Sequence, residues 1–255
     1  MKIAVCISGQ PRNALRGFQN IKTFFNFDFD LFAHGWWDSD SHKQTFKKEL
    51  WNGVNDEVSE IVDNQWMSIM YQNFDVKKTL IENQINFNVP EILEKRKLKF
   101  TNTFNVCSGL YSIYECDKLR KKYEIENNFK YDWVIRTRYD FGLSEPLFID
   151  KLDKDKIYAP NDNSHNYGFN DQFAIGSSDN MSVYSTVFHN IESILESHHS
   201  GVYTAKYCEK PDNVGQEQLL NKHLDNHEIE VKTIDFKNFL FREEGQRTRI
   251  HSIED

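Results

Sequence analysis

The sequence predicts a single α/β domain with a central, mostly parallel sheet flanked by helices. Three short apolar runs that begin at Ile3, Phe29 and Trp133 each stop abruptly at polar residues, as buried strands do. Segments with helical periodicity separate these runs, which implies right-handed crossovers between parallel neighbours. The length of 255 residues suits one large domain of this class.

Composition indicates a folded and acidic protein. Hydrophobic residues make up 39% of the chain, and 20 Phe, 11 Tyr and 5 Trp supply bulk for packing that a disordered chain would lack. The formal net charge of −8 disfavours non-specific binding to nucleic acid or to an anionic membrane, because both need a cationic protein surface. Nucleic acid is therefore not an expected partner.

The cysteines and the apolar runs predict a cytoplasmic protein. Cys6, Cys107, Cys116 and Cys208 lack the paired spacing of a zinc site and are interpreted as buried free thiols in a reducing compartment. The first apolar run, residues 3–7, is too short for the core of a signal peptide. No stretch approaches the roughly 18 apolar residues of a membrane span, so none is expected.

Strands and helices are expected to alternate in the first half of the chain. The apolar run at residues 3–7 predicts a buried strand, and Ser-Gly-Gln-Pro-Arg at residues 8–12 predicts a sharp turn after it. A helix is expected around residues 14–25, and a second strand at residues 29–34 ends at Gly-Trp-Trp-Asp. Residues 39–60 are polar with weak periodicity and are expected to form a mobile excursion followed by short helical or extended pieces.

A second series of elements is expected after residue 100. Apolar residues recur at i, i+3, i+4 and i+7 between residues 101 and 122, and cations near the end of this predicted helix suit the helix dipole. A polar region at residues 150–166 precedes a short strand at residues 169–176. A helix at about residues 214–224 and a half-exposed strand at residues 229–234 follow. Between the strand at residues 169–176 and the helix at about residues 214–224, another predicted helix has an apolar face formed by Met181, Tyr184, Phe188, Ile191 and Leu195.

The segment from Tyr131 to Asp140 carries the strongest functional signal. An apolar half-strand runs there into Arg136, Arg138 and Asp140, at the edge of the sheet where α/β proteins bind ligands. The two arginines are two residues apart, so they face the same side of the strand and are placed for a paired clamp. Two cations beside a carboxylate suit a phosphate group and a divalent metal ion. The plainer alternative is a strand that ends in a surface ion pair.

Three motifs in this order make the chain resemble nucleotide-sugar glycosyltransferases with the A-type, Rossmann-like fold. They are Ser-Gly-Gln-Pro-Arg at residues 8–12, Arg-x-Arg-x-Asp at residues 136–140 and Asn-Asp-Gln at residues 170–172, and small bacterial and viral members are the most similar. The resemblance implies one glycosyltransferase domain over residues 1–255. Its nucleotide-binding half would be residues 1–145, and residues 146–255 would form the acceptor-side half and a C-terminal tail.

The resemblance also implies roles for individual residues. The nucleotide would contact Ser8, Gly9, Gln10, Arg12 and Ser108, with Arg12 against a phosphate. His34 or Trp36 would lie near the base or ribose, and Arg136 and Arg138 near the diphosphate. Asp140 would bind Mn²⁺ or Mg²⁺, and Asp171 would contact the acceptor hydroxyl or act as general base.

One departure from the family pattern leaves the metal open. The usual motif has two aspartates that flank one residue, and Arg138 stands here at the position of the first. An arginine can neutralise the charge of a diphosphate without an ion. The sequence therefore predicts either metal-assisted or purely arginine-based binding of the diphosphate.

Each candidate also has a structural alternative. Residues 8–11 would serve as a tight turn, the pair Trp36 and Trp37 as core, and Asp171 as the holder of a loop. Ser108 would cap a helix, and Glu217, a weaker candidate for the base, would be a favourable charge at a helix start. Three histidines, His198, His199 and His251, lack the spacing of a closed metal site, and the basic segment 242–249 is interpreted as a solvated tail.

The expected function is the transfer of a sugar from a nucleotide-diphosphate donor, a uridine one, to a hydroxyl of a glycan. Nucleotidyl or phosphoryl transfer is a second hypothesis, which the absence of a Gly-x-x-x-x-Gly-Lys loop weakens. A non-catalytic nucleotide-sugar binding module is a third, which the incomplete aspartate pair favours.

Overall fold

The computed structural model describes residues 1–48, 58–88, 90–96, 99–100, 102–160, 170–196, 213–234 and 237–241. Within these residues a seven-stranded sheet separates two hydrophobic clusters. The strands are β1 (Ile3–Gly9), β2 (Asp30–Trp36), β3 (Lys43–Lys48), β4 (Val58–Asp63), β5 (Val76–Glu82), β6 (Lys99–Phe100), β7 (Trp133–Thr137), β8 (Phe141–Leu143), β9 (Ile157–Pro160), β10 (Phe173–Gly176), β11 (Asn213–Val214), β12 (Val231–Ile234) and β13 (Asn238–Leu240). The helices are α1 (Ala14–Phe24), α2 (Gln65–Asn73), α3 (Glu91–Arg96), α4 (Thr103–Glu126), α5 (Ser178–Ser185), α6 (Val187–Glu196) and α7 (Gln216–Asn226).

The central sheet is mostly parallel, as predicted. Its strand order is β12-β9-β10-β7-β1-β2-β5. Strand β1 pairs in parallel with both β2 and β7, β2 pairs in parallel with β5, and β9 with β12. Strand β10 is antiparallel to its neighbours β7 and β9. The three apolar runs of the sequence are thus adjacent parallel strands.

All the predicted polar strand ends share one edge of this sheet. The carboxyl ends of β1, β2 and β7 lie there because these strands are parallel. Strand β10 runs the other way, so its first residue, Phe173, pairs with the last residue of β7, Thr137. Residues 170–172 therefore reach the same edge as residues 138–140.

The two faces of the sheet pack against different helices. Cys6, Val134 and Ala174 belong to the cluster that includes buried residues of α4, whereas their neighbours belong to the cluster that includes α1. Arg136 pairs in register with Cys6 and Ala174, so it lies on the α4 face. Because side chains alternate along a strand, Ser8 is also on the α4 face.

Several predicted elements differ from the observed ones. Strand β5 and strand β9 were not predicted, and β9 falls inside the region expected to be a polar loop. Residues 43–48 and 58–63 pair as an antiparallel hairpin, which agrees with the extended pieces expected in the segment 39–60. The predicted helix through Met181 and Leu195 is two helices, α5 and α6, which are separated at Thr186.

Helix α4 continues to Glu126, so the cations near residue 120 are not its last turn. Arg120 is fully buried instead. Its guanidinium lies 2.7 Å from Asp117 Oδ1 and 2.8 Å from Glu124 Oε2, and Nη1 donates to Ser178 Oγ at 2.6 Å. The prediction that Arg120 complements the helix dipole is therefore wrong, and this arginine joins α4 to α5.

The cysteines within the described residues are buried free thiols, as predicted. Cys6, Cys107 and Cys116 form no disulfide, and burial raises the pKa of the Cys107 thiol to about 11. Cys208 lies outside the described residues. Among the helices described, none combines the length and the apolar composition that crossing a membrane requires.

Candidate functional site

Arg138 and Asp140 form a two-point ion pair at the carboxyl edge of the sheet. Arg138 Nε donates to Asp140 Oδ1 at 2.7 Å, and Arg138 Nη2 donates to Asp140 Oδ2 at 2.8 Å. The Asp140 side chain is 2% exposed and that of Arg138 is 24% exposed. This geometry is the strong, side-on form of the arginine–carboxylate interaction. The plainer alternative, an ion pair at the strand end, therefore holds in part, although the carboxylate is buried.

Arg136 faces inward and fixes the neighbouring loop. It is 5% exposed, and its Nη1 donates to the main-chain oxygen of Asp171. Its Nε is buried and has no hydrogen-bond partner among the described residues. Burial lowers the pKa of this guanidinium. A buried cation with one neutral acceptor is incompletely compensated, and such a group attracts anions.

Asp171 lies beside both arginines. Its side chain is 9% exposed, and its charge acts electrostatically on Arg136 and on Arg138. The local turn is made by its neighbour, since Asn170 Oδ1 accepts from the main-chain N–H of Gln172 at 2.7 Å. The structure thus brings Asp171 to the site, and Asn170 makes the Asx-type hydrogen bond proposed for Asp171.

The end of β1 contributes a buried hydroxyl and a turn that favours glycine. Ser8 is 2% exposed, and no group in the described part of the chain bonds to its Oγ. Gly9 has φ of +121°, a conformation that residues with a side chain rarely adopt. Gln10 and Arg12 follow in the turn and are half-buried. The turn interpretation of residues 8–11 is compatible with a place beside the two arginines.

His34 and Trp36 are inside the core. His34 is fully buried, with Nδ1 2.6 Å from Ser112 Oγ and Nε2 3.0 Å from Glu82 Oε1. Burial lowers the pKa of this imidazole. Trp36 is 1% exposed and stacks on Tyr111 with ring centroids 5.4 Å apart. These two side chains are not presented to a ligand in this conformation.

The outer members of this cluster are Glu82 and Tyr111. The Glu82 side chain is 27% exposed at the carboxyl end of β5. Burial, assisted by the charge of Glu82, raises the pKa of Tyr111 to about 12. Glu82 was not predicted from the sequence, because β5 had not been recognised as a strand of the sheet.

Ser108 does not cap helix α4. The cap is Asn102, whose side chain accepts from the main-chain N–H of Asn105 at 2.9 Å. Ser108 is buried farther along the helix, where its hydroxyl lies 3.4 Å from Gln84 Oε1. Glu217 is in the first turn of α7, where its charge is favourable.

The described residues around Asp140 do not fit a divalent metal ion. Both carboxylate oxygens of Asp140 already accept from Arg138. No group of three potential metal-ligating residues occurs in the parts of the chain that the structure describes. A metal ion at Asp140 would compete with Arg138 for the two carboxylate oxygens, which are already engaged in charge-assisted bonds. His198, His199, His251 and the basic segment 242–249 lie outside the described residues.

Two residues that fix the turn between Arg138 and Asp140 were also not predicted from the sequence. A Cβ on Gly17 would stand 1.9 Å from the main-chain oxygen of Tyr139, so helix α1 passes very close to the turn between Arg138 and Asp140. Tyr139 is buried, and its hydroxyl donates to the main-chain oxygen of His34 at 3.2 Å. Glycine inside a predicted helix was the available signal for such a close approach.

Comparison with known proteins places the chain in one family. The family model described as a domain of unknown function (DUF7796) matches residues 1–209, so the chain belongs to that family. The matched span includes every candidate residue from Ser8 to Asp171. No curated protein matches the chain.

Proposed function

We propose that this member of the DUF7796 family is a glycosyltransferase that moves a sugar from a nucleotide-diphosphate donor, a uridine one, to a hydroxyl of a glycan. The observation that carries the proposal is Arg138. Its guanidinium is partly exposed at the carboxyl edge of the sheet, and the pair with Asp140 uses two of its five N–H groups. The remaining donors suit the paired oxygens of a phosphate.

The proposed chemistry needs a group that accepts charge and a group that accepts a proton. When the bond between the anomeric carbon and the diphosphate breaks, negative charge develops on the leaving oxygen, and the donors of Arg138 stabilise it. The acceptor hydroxyl forms the new bond to the anomeric carbon. In an inverting reaction its proton passes to the Asp171 carboxylate. Arg136 holds the backbone of Asp171 in place for this step.

Metal chemistry has no step in this mechanism. Asp140 was expected to bind Mn²⁺ or Mg²⁺ on the strength of the family resemblance. In this proposal Asp140 orients Arg138 instead, and its two hydrogen bonds with Arg138 support that role. In this proposal oriented N–H donors of Arg138, and not an ion, hold the diphosphate.

Incubation of the protein with a panel of nucleotide sugars tests the proposal. Release of free nucleoside diphosphate from one donor supports a transferase, release of pyrophosphate supports nucleotidyl transfer, and binding without turnover supports a binding module. We expect Arg138→Ala to abolish the release of nucleoside diphosphate. A suitable control is Lys154→Ala, because Lys154 pairs with Asp132 at the opposite edge of the sheet. If the Arg138→Ala variant turned over donor at the parental rate, this site assignment would be wrong.

A further inference from the structure

We infer that the Arg138–Asp140 pair takes the place of a divalent cation, so that this site binds a diphosphate group without a metal ion. Asp140 is then a positioning residue for Arg138, and Arg138 is the group that touches the ligand. The identification of the natural ligand as a nucleotide sugar rests on the proposed function. The binding of a diphosphate group itself rests only on the geometry of the pair.

Side-on pairing orients the guanidinium for a second partner. Asp140 engages Nε and Nη2 of Arg138, which leaves both hydrogens of Nη1 and one of Nη2. The end of the guanidinium formed by Nη1 and Nη2 therefore keeps a parallel pair of donors. Two oxygens of one phosphate group match such a pair, and a lysine or an unoriented arginine would not offer it.

The turn that carries the pair is held from three directions. Helix α1 approaches it at Gly17, as the short distance to the Tyr139 oxygen shows. The main-chain N–H of Phe241 donates to the main-chain oxygen of Asp140 at 2.8 Å. Tyr139 bonds to β2 through its hydroxyl. Arg138 thus starts from a fixed turn and a fixed carboxylate, and little conformational entropy is lost when a ligand binds.

The charges around the pair explain why directional donors matter here. Arg138 and Asp140 cancel each other, and Asp171 offsets part of the charge of Arg136. The attraction for a diphosphate therefore comes mainly from short, oriented hydrogen bonds in a partly buried place, where each bond is stronger than in water. A metal ion bound to Asp140 would compete with the two hydrogen bonds that orient Arg138.

Titration calorimetry with inorganic pyrophosphate tests the inference, with the full chain in chelator and again with Mn²⁺. We expect affinities that agree within about threefold in the two conditions, because no cation takes part. Arg138→Lys, which keeps the charge and loses the fork, and Asp140→Asn, which loses the positioning carboxylate, should each weaken binding by at least about tenfold in both conditions. Asp132→Asn, at the opposite edge, is the matched control and should bind like the parent.

Three outcomes would overturn the inference. They are an increase in affinity of about tenfold or more with Mn²⁺ that Asp140→Asn abolishes, parental binding by Arg138→Lys, and no binding of pyrophosphate in either condition. Circular dichroism identifies a variant that has unfolded. Because Arg138→Lys and Asp140→Asn change different residues, one variant that remains folded is enough to test the inference. Pyrophosphate contains neither sugar nor nucleoside. If no nucleotide sugar of the panel were turned over, only the proposed transferase function would be contradicted. If pyrophosphate binding required the metal ion, only the inference about Arg138 and Asp140 would be contradicted.

Discussion

Arg136 in β7 and Arg138 just after it have different tasks because their environments differ. Arg136 is buried and bonds to the backbone beside Asp171, whereas Arg138 is partly exposed and bonds to Asp140. The alternation of side chains along a strand predicted that both face one side. It did not predict which of them meets solvent, because that depends on the helices and loops that cover each position. The sequence therefore did not predict the division of roles between the two arginines.

Ser8 and Ser112 provide a matched pair of buried serines for a stability test. Ser8 Oγ has no hydrogen-bond partner within the described structure, so no hydrogen bond offsets the free-energy cost of burying it. We expect Ser8→Ala to leave the free energy of unfolding unchanged or to raise it by up to about 1 kcal/mol. Ser112→Ala, which removes the partner of His34, should lower it by about 1–2 kcal/mol. Urea denaturation of both variants measures the difference, and a destabilised Ser8→Ala would show that this hydroxyl has an internal partner.

At the level of elements, uninterrupted apolar runs predicted strands of the sheet correctly. Segments that mix apolar and polar residues did not allow such a prediction. Strands β1, β2 and β7 are buried on both faces, so composition alone marks them. Strand β5 contains Lys77 and Lys78 and is half-buried throughout, which hides its pattern. Helix α4 was predicted to end at its cations, but Arg120 is an interior residue paired with two carboxylates. Tertiary contacts overrode the local signals in both places.

Helix α1 supplies a prediction about packing. Alanine at Gly17 would gain about 1 kcal/mol of helix propensity, but its Cβ would collide with the rigid main-chain oxygen of Tyr139. Overpacking of this kind costs about 1–3 kcal/mol or more, so we expect a net loss in the free energy of unfolding. The displaced turn should also weaken pyrophosphate binding. Gln19→Ala, on the exposed side of the same helix, is the control, and a Gly17→Ala variant as stable as the parent would contradict this close approach.

The whole molecule should lose stability in mild acid because of two buried histidines. Burial lowers the pKa of His223 to about 4, and it lowers that of His34 as well. The unfolded chain has ordinary histidines near 6.5 and takes up protons first as the pH falls. The stability contribution of His223 is therefore complete above about pH 6.5, declines as the pH falls toward 4, and amounts to roughly 3 kcal/mol.

Denaturation at about pH 7.5 and about pH 5 measures this dependence. His223→Gln should flatten it, because glutamine has no charge to gain in the unfolded state. His42→Gln, which changes an exposed histidine, should keep the parental slope. An unchanged slope in His223→Gln would mean that this side chain is not the neutral, buried donor to Val183 that the structure shows.

The most direct measurement of the central claim is a crystal structure of the protein grown with uridine diphosphate. The account predicts diphosphate oxygens within hydrogen-bonding distance of Arg138 Nη1 and Nη2, with the nucleoside along the carboxyl ends of β1 and β2 and Asp140 still bound to Arg138. A nucleotide bound elsewhere with Arg138 untouched, or no nucleotide in crystals grown with the ligand in excess, would contradict it.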